Sequence, residues 1–184
     1  MISAPIAPNE LERIAVLRSY RILDTSREEG FEDIVDSIRS CLKVPIAYIS
    51  LIDSDRQWLK ARRGLTIEGS SRDIAFCAHA ILQQEPMVVK DARSDIRFHD
   101  NPLVKGPPFF RFYLGAPIVS PENVALGTVC AVDNQPIEPG NSEIKAMKFF
   151  ARQTMRLLEL HRLRCQMADR SSSEPSTSMI PFGI

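Results

Sequence analysis

The run VPIAYISLID (44–53) is apolar almost without interruption and is too short for a typical helix. It reads as a strand buried on both faces, so the domain needs a packed layer on each side of it. Asp53-Ser54-Asp55 supplies turn chemistry, and RQWLKARRGL (56–65) reads as a second strand with a polar side, which makes a hairpin. Two helices come before it. Asn9 followed by Glu12 fits an N-cap with a carboxylate in the first turn, and Leu11, Ile14, Ala15 and Leu17 support a short helix. Ser26-x-x-Glu29 is a capping box by type and spacing. Phe31, Ile34, Val35, Ile38 and Leu42 then mark an amphipathic helix stopped before Pro45.

Downstream, Ser70 or Ser71 can cap a helix over about 72–84, ended by Pro86, and MVV (87–89) is a brief strand. KDARSDIRFHDNPLVKGPPFF (90–110) reads as a long loop, and loops of that length inside a domain are functional or mobile. FRFYLGAPIV (110–119) and ALGTVCAVD (125–133) are strands joined by the turn SPEN, and Gly127 signals a close backbone approach or a bulge. The last helix, capped by Asn141 or Ser142, carries its apolar band on Ile144, Met147, Phe150, Ala151, Thr154, Leu157, Leu158 and His161. Phe149, Met155 and Leu160 fall outside that band, so this helix has two apolar sides and wants two surfaces. The order α-α-β-β-α-β-loop-β-β-α predicts an α+β domain with a mainly antiparallel sheet. Residues 1–8 read as a flexible start, 9–168 as one domain, and the Ser/Pro-rich 169–184 as a disordered tail.

The charge is balanced, 23 Lys plus Arg against 23 Asp plus Glu, which gives no electrostatic reason to expect nucleic acid or an anionic membrane surface. No run approaches the roughly 18 apolar residues that span a bilayer. The four cysteines form no CxxC, which argues against a zinc knuckle and fits reduced thiols in a cytoplasm.

In sequence, VPIAYISLID-x-DRQWLKARRGL, RDIAFCAHAIL, VVKDARSDIRFHDNPLVKGPPFFRFYLGAPI and LGTVCAVD resemble the GAF domain family. The match is to the subgroup found at the front of bacterial sensor histidine kinases and diguanylate cyclases, and it covers about residues 9–165. The resemblance implies a central antiparallel sheet of about five or six strands. It places the N- and C-terminal helices on one face, with loops and a short helix over a pocket on the other. The N-K-x-F-D-E signature of cyclic-nucleotide binders is absent, FCAHAI is not the bilin-attachment motif, and the cysteines do not match the methionine sulfoxide reductase arrangement. No kinase, cyclase or DNA-binding segment follows the last helix, so the output this subgroup drives is expected to be missing or to lie on another protein.

On a helix, Cys77 and His79 point about 200° apart, which excludes a shared metal ion, and no metal site is expected. Cys77 reads as a small buried hydrophobe at the edge of the helix's apolar face. The candidate ligand-binding residues are His79, Asp91, Phe98, Asp100, Asn101, Arg111 and Tyr113, which mix apolar cover with polar groups as a pocket does. Against this, Asp91, Asp100 and Asn101 can hold the loop by Asx-type bonds to its own backbone. An arginine in such a site favours an anionic ligand, of unknown identity, and no cofactor is indicated. Leu11, Ile14, Met155, Leu158 and His161 are candidates for a homodimer interface through the terminal helices. No GxSxG, P-loop or HExxH is present. The expected function is a non-enzymatic sensory or regulatory module that binds a small molecule or a signalling partner. A ligand-free interaction adaptor and a cysteine-based redox sensor or reductase are the alternatives.

Overall fold

Strand β1 (Ile46–Ile52) is buried at every position, and alternate side chains enter two different cores. In the computed structural model, which describes residues 1–173, β1 sits at the middle of a six-stranded sheet. The other strands are β2 (Arg56–Arg63), β3 (Gly69–Ser71), β4 (Met87–Val89), β5 (Phe112–Val119) and β6 (Ala125–Asp133). Their order is β3-β2-β1-β6-β5-β4, and every neighbouring pair is antiparallel. The α+β class and the antiparallel sheet are as the sequence predicts.

Ala47, Ile49 and Leu51 of β1 point to one face. There they meet Leu17 of α1 (Glu10–Ser19), Phe31, Val35 and Ile38 of α2 (Glu29–Leu42), and Met147, Ala151 and Leu158 of α5 (Asn141–Ser173). Ile46, Tyr48 and Ile52 point to the other face, against Phe76, Cys77 and Ala80 of the five-residue α3 (Phe76–Ala80) and Val104 of α4 (Pro102–Lys105). The terminal helices therefore share one face, and the short helices and the 90–110 loop cover the other. Gly127, paired with Leu51, has no room for a Cβ because the Ser50 carbonyl lies where one would go. That is the close backbone approach its place in a strand predicts.

Three local predictions fail, two of them through a long-range contact. The capping box at Ser26 and Glu29 does not form: α2 starts at Glu29, with Glu28 before it and no side-chain cap. The 25–28 segment instead wraps Lys60. Between β1 and β2 the pairing steps from Ile49↔Ala61 to Ser50↔Leu59, so Lys60 is the extra residue of a bulge. The bulge turns Lys60 toward the helices, and its ammonium donates to Thr25 Oγ1 at 2.8 Å, the Ser26 carbonyl at 2.7 Å and Glu28 Oε1 at 2.6 Å. The helix predicted over 72–84 is a single 3₁₀ turn (Arg72–Ile74) followed by α3. Arg72 is drawn away to Glu10 and to the carbonyls of Asp53 and Ser54, and Ala75 is extended. Asn9 precedes α1 as expected, but its side chain caps nothing.

The N-terminal residues, expected as a flexible start, make contacts with the 90–110 loop. Ile2 N donates to the Arg97 carbonyl, and the Met1 ammonium pairs with Asp100. Helix α5 runs on to Ser173, so residues 169–173 of the predicted disordered tail are helical, and the remainder lies outside the described residues.

Buried charge ties α1 to the hairpin. Glu10 accepts from Arg13 (2.6 and 3.0 Å) and from Arg72 (2.5 and 3.2 Å), while Arg13 also donates to the Ile52 carbonyl at 2.6 Å. Burial pushes the Glu10 carboxyl up, but hydrogen bonds from Arg13 and Arg72 and their charges outweigh it and hold it at about 2. A carboxylate depressed on folding stabilises the fold fully above its unfolded value near 4.5 and loses that contribution as pH falls toward 2. Glu10→Gln is therefore expected to lower stability at neutral pH and to flatten its decline between pH 4.5 and 2, measured by urea unfolding across that range. Lys60→Met leaves a carboxylate and two further acceptors without their donor, and is expected to cost about 3 kcal/mol in the same assay.

Candidate functional site

The loop after β4 spends most of its polar groups on its own shape. Asp91 Oδ1 accepts from the backbone N–H and Nε of Arg93, and Asp95 Oδ1 repeats this two-residue motif with Arg97. Asn101 caps α4 by accepting from Leu103 N at 2.9 Å, while its amide donates to the Ile74 carbonyl at 2.9 Å. Arg111 Nη1 donates to the carbonyls of Val104 and Phe110, both at 2.9 Å. Of the Asx-type bonds predicted for Asp91, Asp100 and Asn101, those of Asp91 and Asn101 hold this segment, with a one-turn helix inside it, while Asp100 pairs with the Met1 ammonium.

The seven candidate ligand residues do not surround one cavity. Asp91 and Asp100 are at the surface, engaged with Arg93 and the Met1 ammonium. Phe98 is buried and stacks on Phe76 with centroids 3.9 Å apart. His79 meets the edge of Phe98 at 5.0 Å and places Nε2 3.0 Å from the Ile2 carbonyl. Burial holds the His79 imidazole below its usual range, helped by the nearby Arg97 charge and opposed by the Ile2 carbonyl and Asp95. Tyr113 is fully buried. Arg111 lines a surface depression of about 270 Å³ with Arg93, His99, Val104, Lys105 and Phe109. Basic groups around an aromatic ring are a suitable setting for a small anion.

Between α3 and the sheet, the face expected to carry a pocket is filled. Phe76, Phe98, Phe110 and Tyr113 occupy it. At its centre lies a group that sequence reasoning missed. Cys77 Sγ is 3.5 Å from Cys130 Sγ, and Tyr113 Oη lies 3.4 Å from the first sulfur and 3.5 Å from the second. Tyr48 Oη is 3.7 Å from Cys77, and Thr128 Oγ1 is 2.9 Å from Cys130. Tyr48, Cys130 and Gly115 form one cross-strand row, and the Tyr113 phenol lies where a Gly115 side chain would stand. Cys77 is thus at the centre of the packed face rather than at a helix edge, because α3 is tucked against the sheet. No group of three or more His, Cys, Asp or Glu that could hold a metal ion occurs among the described residues.

The proposed dimer residues are divided. Leu11 is 90% exposed, whereas Leu158 is fully buried inside the single chain and Met155 is 8% exposed. Ile14 is half-buried. His161 is half-buried, with Nε2 3.3 Å from the Arg21 carbonyl. The second apolar side of α5 is Phe149, Leu160, Leu163 and Met167, all exposed.

Comparison with known proteins places the geometry in a family. The family model described as the GAF domain matches residues 26–158. A Pseudomonas aeruginosa protein named as a cyclic di-GMP phosphodiesterase is 38% identical over 165 residues, 89% of this chain. The chain spans only 28% of that relative's length. The GAF domain of an Acinetobacter phosphoenolpyruvate-protein phosphotransferase superposes with a TM-score of 0.61 at 16% identity, covering 92% of this chain and 99% of that one. A domain of a two-component sensor histidine kinase from Sinorhizobium meliloti does so with a TM-score of 0.58 at 22% identity, covering 80% and 99%. At these identities the two structures show the shared fold.

Asn101→Ala removes the α4 cap and the donor to the part-buried Ile74 carbonyl. It is expected to destabilise the protein by about 1–2 kcal/mol and to speed amide exchange across residues 101–106, read by hydrogen-exchange mass spectrometry.

Proposed function

Because this chain belongs to the GAF domain family, we propose that it is a sensory or regulatory module, without catalysis of its own, that signals through its terminal helices. The observation that carries this reading is the double stripe on α5. Met147, Ala151 and Leu158 are buried in the chain's own core. Phe149 starts a second stripe about 200° away, and Leu160, Leu163 and Met167 follow it at helical spacing. A 33-residue helix is about 50 Å long, and its last fully buried apolar residue is Leu158. The remaining turns carry exposed leucines and a methionine, which favours burial against a second copy. Beside this stripe runs a groove of about 770 Å³, lined by Pro86, Pro117, Val119, Met155, Leu160 and Leu163 among others.

The interface proposed here keeps Leu11 and replaces Leu158, whose surface is already buried, with Leu160 and Leu163. On the ligand side, the basic depression at Arg93, His99, Lys105 and Arg111 favours a small anion. Asp91 and Asp100 shape the loop beside it, while His79, Phe98, Asn101 and Tyr113 support the loop from below. Such binding would act by shifting the loop and the N-terminal residues attached to it, and it regulates only if the anion prefers one of two states. By analogy with the Pseudomonas relative, the regulated output is cyclic di-GMP turnover. No helix among the described residues is long and apolar enough to cross a membrane, and we place this module in the cytoplasm.

The expected result is a concentration-dependent homodimer in native mass spectrometry and analytical ultracentrifugation. Leu160→Asp with Leu163→Asp should weaken it by about a hundredfold or more without unfolding the domain, because both side chains are exposed. A wild-type chain that stays monomeric at high micromolar concentration would sink the dimer reading. Added mass from a co-purified anion, lost in Arg111→Ala, would support the ligand reading.

A further inference from the structure

The buried thiols are independent of the reading above. Cys77 and Cys130 are both fully buried, and their sulfurs are in van der Waals contact at 3.5 Å. They are 53 residues apart, one on α3 and one on the central strand β6. Packing alone would be satisfied by two small apolar residues. Instead the sulfurs share a compartment with the hydroxyls of Tyr48, Tyr113 and Thr128. The Ser50 hydroxyl is also buried on this face and acts on Cys77 in the same direction as the other donors. Burial pushes both thiols up. Around Cys77, the donors Cys130, Thr128 and Tyr113 oppose burial and bring the thiol down, which suits this sulfur to attack and leaves Cys130 to follow.

We propose that Cys77 and Cys130 are a reversible dithiol–disulfide switch oxidised by hydroperoxides. The Cys77 thiol first gives up its proton; the thiolate attacks one peroxide oxygen, the O–O bond breaks, and the leaving hydroxide takes up that proton and departs as water. Cys77 is then a sulfenic acid. The Cys130 sulfur attacks it, the S–S bond forms, the S–O bond breaks, and the second oxygen leaves as water with the Cys130 proton. Two thiols and one hydrogen peroxide give one disulfide and two waters, with two electrons passing from sulfur to oxygen.

Access and consequence follow from the fold. The cover over Cys77 is the five-residue α3 and the N-terminal residues that meet His79 at the Ile2 carbonyl. Opening that cover admits peroxide, so oxidation runs at the pace of local opening and not of global unfolding. Closing 3.5 Å to a disulfide of about 2.05 Å draws α3 onto β6, since the strand is held on both sides. Helix α3 carries Phe76 stacked on Phe98 and His79 bonded to Ile2, so the movement reaches the loop and the N-terminus together.

The test uses the full chain under native conditions. Hydrogen peroxide is added, remaining thiols are alkylated after unfolding, and peptides are mapped by mass spectrometry. The expected product is a Cys77–Cys130 linked peptide that dithiothreitol reverses. It should form equally in Cys41→Ser/Cys165→Ser, which removes the two thiols outside the pair. In Cys130→Ser, dimedone should trap a sulfenic acid on Cys77. Tyr113→Phe should slow native oxidation several-fold while leaving the oxidation rate of the urea-unfolded chain unchanged. The proposal is overturned if both thiols alkylate fully after a peroxide dose that consumes Cys41. Links joining Cys77 or Cys130 only to Cys41 or Cys165 would overturn it equally. Because the wild-type chain gives the main readout, an unfolded variant does not rescue the idea.

Discussion

Everything in this domain depends on a strand pair, β1 and β6, that has no solvent-facing side. Antiparallel sheets commonly leave one face wet, and then one layer of helices suffices. Here β1 is buried throughout and β6 is buried over seven of its nine residues, so both faces must be covered. Three helices take one face, which a helical hydrophobic pattern does easily. Among the described residues, the other face is covered by α3, α4, a loop and the first N-terminal residues. Short elements cannot supply a continuous apolar surface, and the gap is filled by aromatic rings: Phe76, Phe98, Phe110 and Tyr113.

Filling both faces forces polar groups inside, and the fold then has to satisfy them. The bulge at Lys60 is one solution: it places two successive residues, Lys60 and Ala61, on the helix side and gives the ammonium three acceptors from the 25–28 segment. The Glu10 carboxylate between Arg13 and Arg72 is another. Buried ion pairs of this kind add little net stability compared with apolar residues of similar size, but removing one partner is costly. Their value here is positional. Glu10 fixes α1 against the end of the β1–β2 hairpin, and Lys60 fixes the α1–α2 connection against β2. The helical layer is thereby held in one register on the sheet.

The same contacts explain what could be read from the sequence. Strands β4 and β6 match the apolar runs 87–89 and 125–133, and β1 and β5 lie inside theirs, because burial patterns are local statements. The two-sided character of α5 was equally legible from Phe149 and Leu160. The Ser26 capping box was not, because the competing acceptor demand comes from Lys60, more than thirty residues away. Nor was the shortness of α3, which follows from Arg72 reaching back to Glu10 across 62 positions. The Cys77–Cys130 contact was hidden for a related reason. Period-two alternation places Tyr48 and Ser50 on one face, but only the inter-strand register puts Tyr48 opposite Cys130. Asp91 and Asp100 read as either ligand groups or turn formers; Asp91 forms a turn, and Asp100 pairs with the N-terminal ammonium, a partner that no local pattern announces.

A filled second face changes how regulation can work in this chain. An open cavity would let a ligand bind by occupying existing space. With Phe76 and Phe98 stacked and Tyr113 fully buried, a molecule entering between α3 and the sheet must first displace packed side chains, and its affinity falls by the cost of that rearrangement. The proposed binding at the rim, in the basic depression, needs no such space, and the proposed oxidation of the thiols needs α3 to open only far enough for a peroxide. Both act on the same elements, since Arg111 holds α4 through the Val104 carbonyl and Cys77 sits on α3. Loop and α3 meet at the Phe76–Phe98 stack, and the N-terminal residues bind both through Arg97 and His79. Those residues lead directly into α1, whose first residue is Glu10. A change on the α3 side thus has a continuous covalent and hydrogen-bonded route to the helical layer that does not pass through the rigid centre of the sheet. That route joins the α3 side to the terminal helices through which we propose that the module signals.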